Sequence, residues 1–244
     1  FESNRNTGAR IVMYALDVDD LEYCWSALES GHVLPADGDS HTVKHNIGGR
    51  EYLIQQTPEK GVAFYVWNCA IILATYLTNH LEKQLPQKRV IELGAGTGLA
   101  GLVAAYLGAF TVLTDLPDVV SLMDGNIKAN GLEANACALE LPWGSDCSSI
   151  VKSHGPYDYI IAADVIYLES TFDLLVSTLV DLCSSHTIVL LAYQKRRRAD
   201  RRFFIKAAKC FDMSTIPEAV LPRTNVTLHC LKLKRGQQSI SSAE

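Results

Sequence analysis

No C-x-x-C pair occurs in the 244 residues, and the seven cysteines, at 24, 69, 137, 147, 183, 210 and 230, are an odd number. Both facts argue against a disulfide framework. Cys69, Cys183 and Cys230 lie inside apolar segments, as reduced, buried thiols do. The seven histidines do not cluster with cysteines at metal-ligand spacing, so no metal is expected. No apolar run is long and uninterrupted enough to cross a bilayer. No signal or transit peptide is visible, in a sequence that opens at Phe1. Excess positive charge is lacking too: a net charge of −5 gives no reason to expect a generic nucleic-acid binder. Internal repeats and low-complexity tracts are absent. What is present is ordinary for a globular protein, 48% hydrophobic and 20% charged. The length suits one large domain or two small ones. A reducing cytosol or nucleus, no membrane and a monomer are the expectations.

Residues 1–40 are acidic and poorly periodic, with "DVDDLEYCWSAL" as a short helix and "PADGDSH" as a loop. "HTVKHNIGGREYLIQQT" reads as two strands about Gly48-Gly49, a hairpin. Residues 66–84 predict one long helix with a broad apolar face, ending before Pro86. From Arg89 the chain alternates. Strands are expected at "RVIELG", "FTVLTD", "ACALEL", "DYIIAAD" and "TIVLLAY". Helices are expected at "GLAGLVAAYLG", "PDVVSLMDGNIKANG", "STFDLLVSTLVDLC" and "ADRRFFIKAAKCF". Such alternation means a parallel sheet with helices on both faces. "FDMSTIPE" and "TNVTLHCLKLK" then pair as an antiparallel hairpin, giving seven strands: five parallel plus the hairpin. The division expected is an extension at 1–60, a main domain at 61–234 and a loose tail at 235–244.

"VIELGAGTGLAG" places Gly94, Gly96, Gly98 and Gly101 directly after the first strand of this series. Glycines there let backbone pass close to a ligand, and the helix they open offers free N–H groups. A nucleotide-like cofactor is indicated. Gly96 to Gly101 also satisfies G-x-G-x-x-G, with Asp115 near the acidic position of a dinucleotide site. The turn, however, begins at Gly94, and Glu92 puts a carboxylate where a pyrophosphate would be repelled. S-adenosylmethionine has an amine, a sulfonium and no phosphate, and its ribose diol can donate to Asp115. The chemistry favours that cofactor. Trp143, in "LPWG" after the third strand, lies where an adenine would, and Trp67 opens the long helix. Either ring serves equally as core or as ligand wall.

"DYIIAADVIYLESTF" carries the second signal: an apolar strand that ends on Asp164, with Tyr167 three residues on. The carboxyl end of a central strand is where open α/β sheets bind ligands. A capping role for Asp164 at the next helix is the structural alternative.

"VWNCAIILATYL", "VIELGAGTGLAG", "LTDLP", "LPWG" and "AADVIYLESTF", in this order, resemble the seven-strand protein lysine methyltransferases with a D-x-x-Y signature, methyltransferase family 16 and its methyltransferase-like 21 group. The resemblance runs from about residue 61 to 234. It implies that Trp67, Gly94, Ala95, Gly96, Asp115, Trp143 and Ala163 line the cofactor pocket, with Glu92 beside them. It implies that Asp164 and Tyr167 face the methyl group and a target lysine. Members of that family act on lysines of folded proteins: chaperones, an AAA ATPase and a translation elongation factor. The rival readings are a nucleic-acid or small-molecule methyltransferase and a NAD-type oxidoreductase. No N/D-P-P-Y loop follows the fourth strand, and the basic run "KRRRADRR" reads as a solvated face, a phosphate contact or a dock for an acidic protein.

Overall fold

Strand β3 (Arg89–Leu93) runs through the middle of the molecule, buried along all but its first residue. A computed structural model describes residues 41–217 and 224–236 around it. The putting together of strands follows the expected alternation. A hairpin of β1 (His41–Ile47) and β2 (Arg50–Gln56) is followed by α1 (Asn68–Tyr76), β3, α2 (Leu99–Tyr106), β4 (Phe110–Asp115) and α3 (Pro117–Ala129). Then come β5 (Ala136–Glu140), α4 (Ser148–His154), β6 (Tyr159–Ala163), α5 (Phe172–Leu182), β7 (Ile188–Gln194), α6 (Arg201–Cys210), β8 (Phe211–Thr215) and β9 (Val226–Leu233).

The seven-stranded sheet has the order β5-β4-β3-β6-β7-β9-β8. Strands β3 to β7 are parallel, and β9 is antiparallel to both β7 and β8. The central strands are apolar on both faces because helices cover both. Val90 and Ile161 point into one cluster with Leu73 of α1 and Leu102 of α2; Ile91 and Ile160 point into the other with Leu179 of α5 and Phe203 of α6. The chain leaves β3 toward β4 and β5, then returns to place β6 on the other side of β3. That reversal opens a crevice at the carboxyl ends of β3 and β6.

Two expectations differ. The long helix at 66–84 is α1 followed by a π turn at Leu77–Leu81. The hydroxyls of Thr75 and Thr78 donate to the carbonyls of Ile71 and Ala74, four residues back, and so compete with the helical ladder there. Helix α4, which buries only Ile150, had no sequence signal because seven residues are too few to show a period. The short helix expected before residue 40 and most of the tail lie outside the described residues.

The hairpin joins the main core through Ile47, Tyr52 and Ile54. Its β2 edge is paired by side chains. Asn126 of α3 accepts from Gln55 N–H (2.8 Å), and Asn130 accepts from Leu53 N–H (3.0 Å) and donates to its carbonyl (2.8 Å). Asn126, fully buried, also donates to the Thr97 carbonyl in the glycine loop (2.9 Å). One amide therefore holds hairpin, helix and loop together. Asn126→Ala leaves Gln55 N–H and Thr97 C=O without these partners. Chemical denaturation should show it destabilised by roughly 2–4 kcal/mol, against under ~1 kcal/mol for an exposed substitution such as Glu133→Ala.

Candidate active site

The turn after β3 needs positive φ at Gly94 (60°) and Gly96 (56°). A Cβ at Gly94 would stand 3.0 Å from the Trp143 ring and 2.8 Å from Val165, and one at Gly96 would stand 2.8 Å from the Ala63 carbonyl. Only glycine satisfies both the torsion and the space. Asp115, at the end of β4, fixes the turn: its Oδ2 accepts from Gly96 N–H (2.8 Å) and its Oδ1 from Leu116 N–H (2.7 Å). Burial raises the Asp115 carboxyl from its ordinary value, against the pull of those two N–H donors. Each oxygen keeps a lone pair for a further donor.

Trp143 follows β5 in a turn tied to α5 by Gly144 N–H donating to Thr178 Oγ1 (2.8 Å). Trp67 precedes α1, and its indole N–H donates to the Val62 carbonyl (2.8 Å). Ala163 is the last residue of β6. Gly94, Ala95, Asp115, Trp143, Ala163 and Tyr167 are half-buried and form a rim at one sheet edge, while Gly96 is buried and the Asp164 side chain is nearly so. Positive-φ glycines, a carboxylate with spare acceptors and an indole face suit a ribose and a flat base, and the rim fits S-adenosylmethionine.

Glu92 is placed differently. It is 1% exposed and lies beneath the loop, its Oε2 accepting from Gly101 N–H of α2 (2.7 Å). Desolvation pushes its carboxyl up to about 8. A carboxyl enclosed beneath the loop and bonded to Gly101 N–H does not face a ligand, so the charge argument against a dinucleotide loses its basis here.

Asp164 sits just past β6 with φ 60°, a left-handed conformation that Asp tolerates better than most residues. Its N–H donates to the Ala192 carbonyl (2.9 Å). The side chain is 6% exposed and is gripped side-on by Arg196, Nη2 to Oδ2 and Nε to Oδ1 (3.3 Å). Arg196 in turn lies over the Trp67 ring, 5.3 Å from its centroid. Burial raises the Asp164 carboxyl, and Arg196 and the Cys69 thiol, which hydrogen-bonds to it, oppose that. The cap alternative does not apply: the next helical turn starts at Glu169, after Leu168, with no side-chain cap. Tyr167 is half-buried in the same connection, and its carbonyl accepts from Arg197. Of the basic run, Lys195, Arg198, Arg201 and Arg202 are exposed, as a solvated face would be, while Arg196 turns in and closes over the acid. Its signal was the acid–base match with Asp164, invisible before strand neighbours were known. No His/Cys/Asp/Glu group suited to a metal occurs among the described residues, nor a helix able to cross a membrane.

The sheet order, the glycine loop at the switch point and an acid at the end of the adjacent strand define an S-adenosylmethionine-dependent methyltransferase. A family model described as lysine methyltransferase matches residues 49–210, and the chain belongs to that family. It is 39% identical over 165 residues to the protein N-lysine methyltransferase METTL21A of Mus musculus, covering 66% of this chain and 74% of that protein. With EEF1A lysine methyltransferase 3 of Mus musculus it shares 39% over 149 residues, 60% of this chain and 62% of that one. Among solved structures, the T. thermophilus 16S rRNA N2 G1207 methyltransferase superposes with a TM-score of 0.56 at 18% identity. That match covers 82% of this chain and about half, 52%, of the other, and it speaks for the fold.

Glu92 carries a pH signature. Its carboxyl keeps a proton in the folded state up to about pH 8 and loses it near 4.5 when unfolded. Between these values folding takes up a proton, so stability is greatest at the acid end and falls as pH rises, by up to ~1.4 kcal/mol per unit. Denaturation of the cofactor-free protein from pH 5 to 8 should show this fall, and Glu92→Gln should make it shallower, leaving the like-signed shares of Asp115 and Asp164.

Proposed function

We propose that the chain methylates a lysine ε-amine on a folded protein, with Asp164 and Tyr167 at the reacting amine. The observation that carries this reading is the cation site: a nearly buried carboxylate and an indole face that together already hold a guanidinium. The same pair of features suits a lysine ammonium. S-adenosylmethionine supplies the methyl group as a sulfonium when bound. Trp67, Gly94, Ala95, Gly96, Asp115, Trp143 and Ala163 line its pocket, and Glu92 supports the loop from beneath.

A lysine arrives protonated, with a pKa near ~10.4, and cannot attack in that form. Asp164 attracts the ammonium and orients it; desolvation beside Cys69 and Trp67 then favours passage of its proton to water, leaving the neutral amine on Asp164. Tyr167 limits the amine to one line of approach. Most of the rate comes from this positioning rather than from a strong base. The relatives' names, lysine methyltransferases of proteins, support a protein substrate, and the net charge of −5 gives no support to nucleic acid. The working form is a monomer, and its place is the cytosol or nucleus, where the six free cysteines of the described residues would stay reduced. The catalytic unit spans 61–234, with 1–60 as an extension.

Incubation with labelled S-adenosylmethionine and a cell extract, split between nuclease and protease, tests the class: label should survive nuclease and be lost to protease. Asp164→Ala should lose most transfer and keep cofactor affinity within about tenfold, ~1.4 kcal/mol. Asp115→Ala should weaken cofactor binding by roughly 1.5–3 kcal/mol, and Asp115→Asn, which keeps an acceptor for the loop, by less. Single-turnover assays and calorimetry on the same preparations read both. Full transfer by folded Asp164→Ala protein would remove the acid from the mechanism.

A further inference from the structure

The segment after β7 is built to face the acid. Asp200, 1% exposed, accepts from the Tyr193 hydroxyl (2.9 Å), Arg196 N–H (3.1 Å) and Arg197 N–H (3.0 Å), which shapes residues 195–200 into a turn. That turn reaches the connection after β6 at two points, Arg196 to Asp164 and Arg197 to the Tyr167 carbonyl, and Arg202 at the start of α6 adds a contact to Glu169. Arg196 is itself only 13% exposed. Its charged end does the two things required of a substrate ammonium, bonding Asp164 and lying over Trp67. Two cations cannot both hold so enclosed a carboxylate at full strength.

We infer that Arg196 occupies the place of the target lysine, so that substrate enters by exchanging one cation for another as the 195–200 turn withdraws. This rests on the lysine reading above. The exchange keeps the buried carboxylate compensated throughout, whereas an uncharged side chain entering in place of Arg196 would leave it bare. Arg196 thereby determines specificity, because only a cationic side chain long enough to reach Asp164 can take its position. The cost of releasing the guanidinium lowers apparent affinity for every substrate lysine by the fraction of time that the turn is closed.

The test uses Nα-acetyl-lysine methylamide as the probe, titrated by NMR into the full chain with S-adenosylhomocysteine present. Arg196→Gln, which keeps a planar donor and removes the charge, should bind the probe roughly tenfold tighter than wild type. Its KM for protein lysines in extract should fall. In an Asp164→Asn background the same substitution should make no difference, since there is no carboxylate to compete for. Arg196→Gln protein that binds the probe no tighter, while wild type methylates lysine in extract, would overturn the exchange and make Arg196 a positioning residue for Asp164. That role would lower kcat and leave KM in place. Wild type that labels no lysine and binds no probe would instead defeat the lysine reading itself.

Discussion

The hydrogen bond from Gly96 N–H to the Asp115 carboxylate is the constraint on which the cofactor side of the site depends. It ties the turn after β3 to the end of β4, so two strand ends move as one body. Asn126 braces the same turn from behind by its bond to the Thr97 carbonyl, and Glu92 braces it from below through Gly101 N–H. A loop of glycines has little stiffness of its own. Here it is fixed by three side chains, each from a different element of the fold.

The end of β6 is organised on another principle. Asp164 stands in a left-handed conformation at the end of a buried strand, where the backbone torsion is costly and desolvation opposes an ionised side chain. Such unfavourable placement persists where surrounding structure over-determines it, and it concentrates at functional positions. Arg196, Cys69 and the Ala192 carbonyl are the groups that hold it. The glycine loop and Asp164 therefore lie at the ends of the neighbouring strands β3 and β6, with Val165 and Trp143 packed against the space that Gly94 leaves.

Much of this was legible in the residues. The apolar runs at 89–93, 110–115, 159–163 and 188–194 are strands because burial on both faces demands continuous hydrophobicity, and that leaves a plain trace. The glycine loop and Asp115 were legible because chemistry at a strand end needs particular residue types. Asn126 was not, since a buried amide that bridges Gln55 and Thr97 looks in sequence like any polar residue on a helix. Arg196 was not either: its role comes from β7 lying beside β6, a neighbour relation between residues 32 positions apart. The burial of Glu92 was missed for a related reason, because the sequence shows a carboxylate without showing the helix start that covers it.

The sheet order has a consequence for how the chain is completed. Strand β9, the last described, lies between β7 and β8, bonded to both, and buries Val226, Leu228 and Leu231. During synthesis β7 and β8 emerge earlier and must wait, each with an open edge toward the gap. Arg196 hangs from the end of β7, so its grip on Asp164 gains a firm base only once residues 226–233 have filled that gap. A chain that ends before Val226 would lose the middle of three strands, and with it the support beneath the end of β7, while keeping the glycine loop, Asp115 and Asp164.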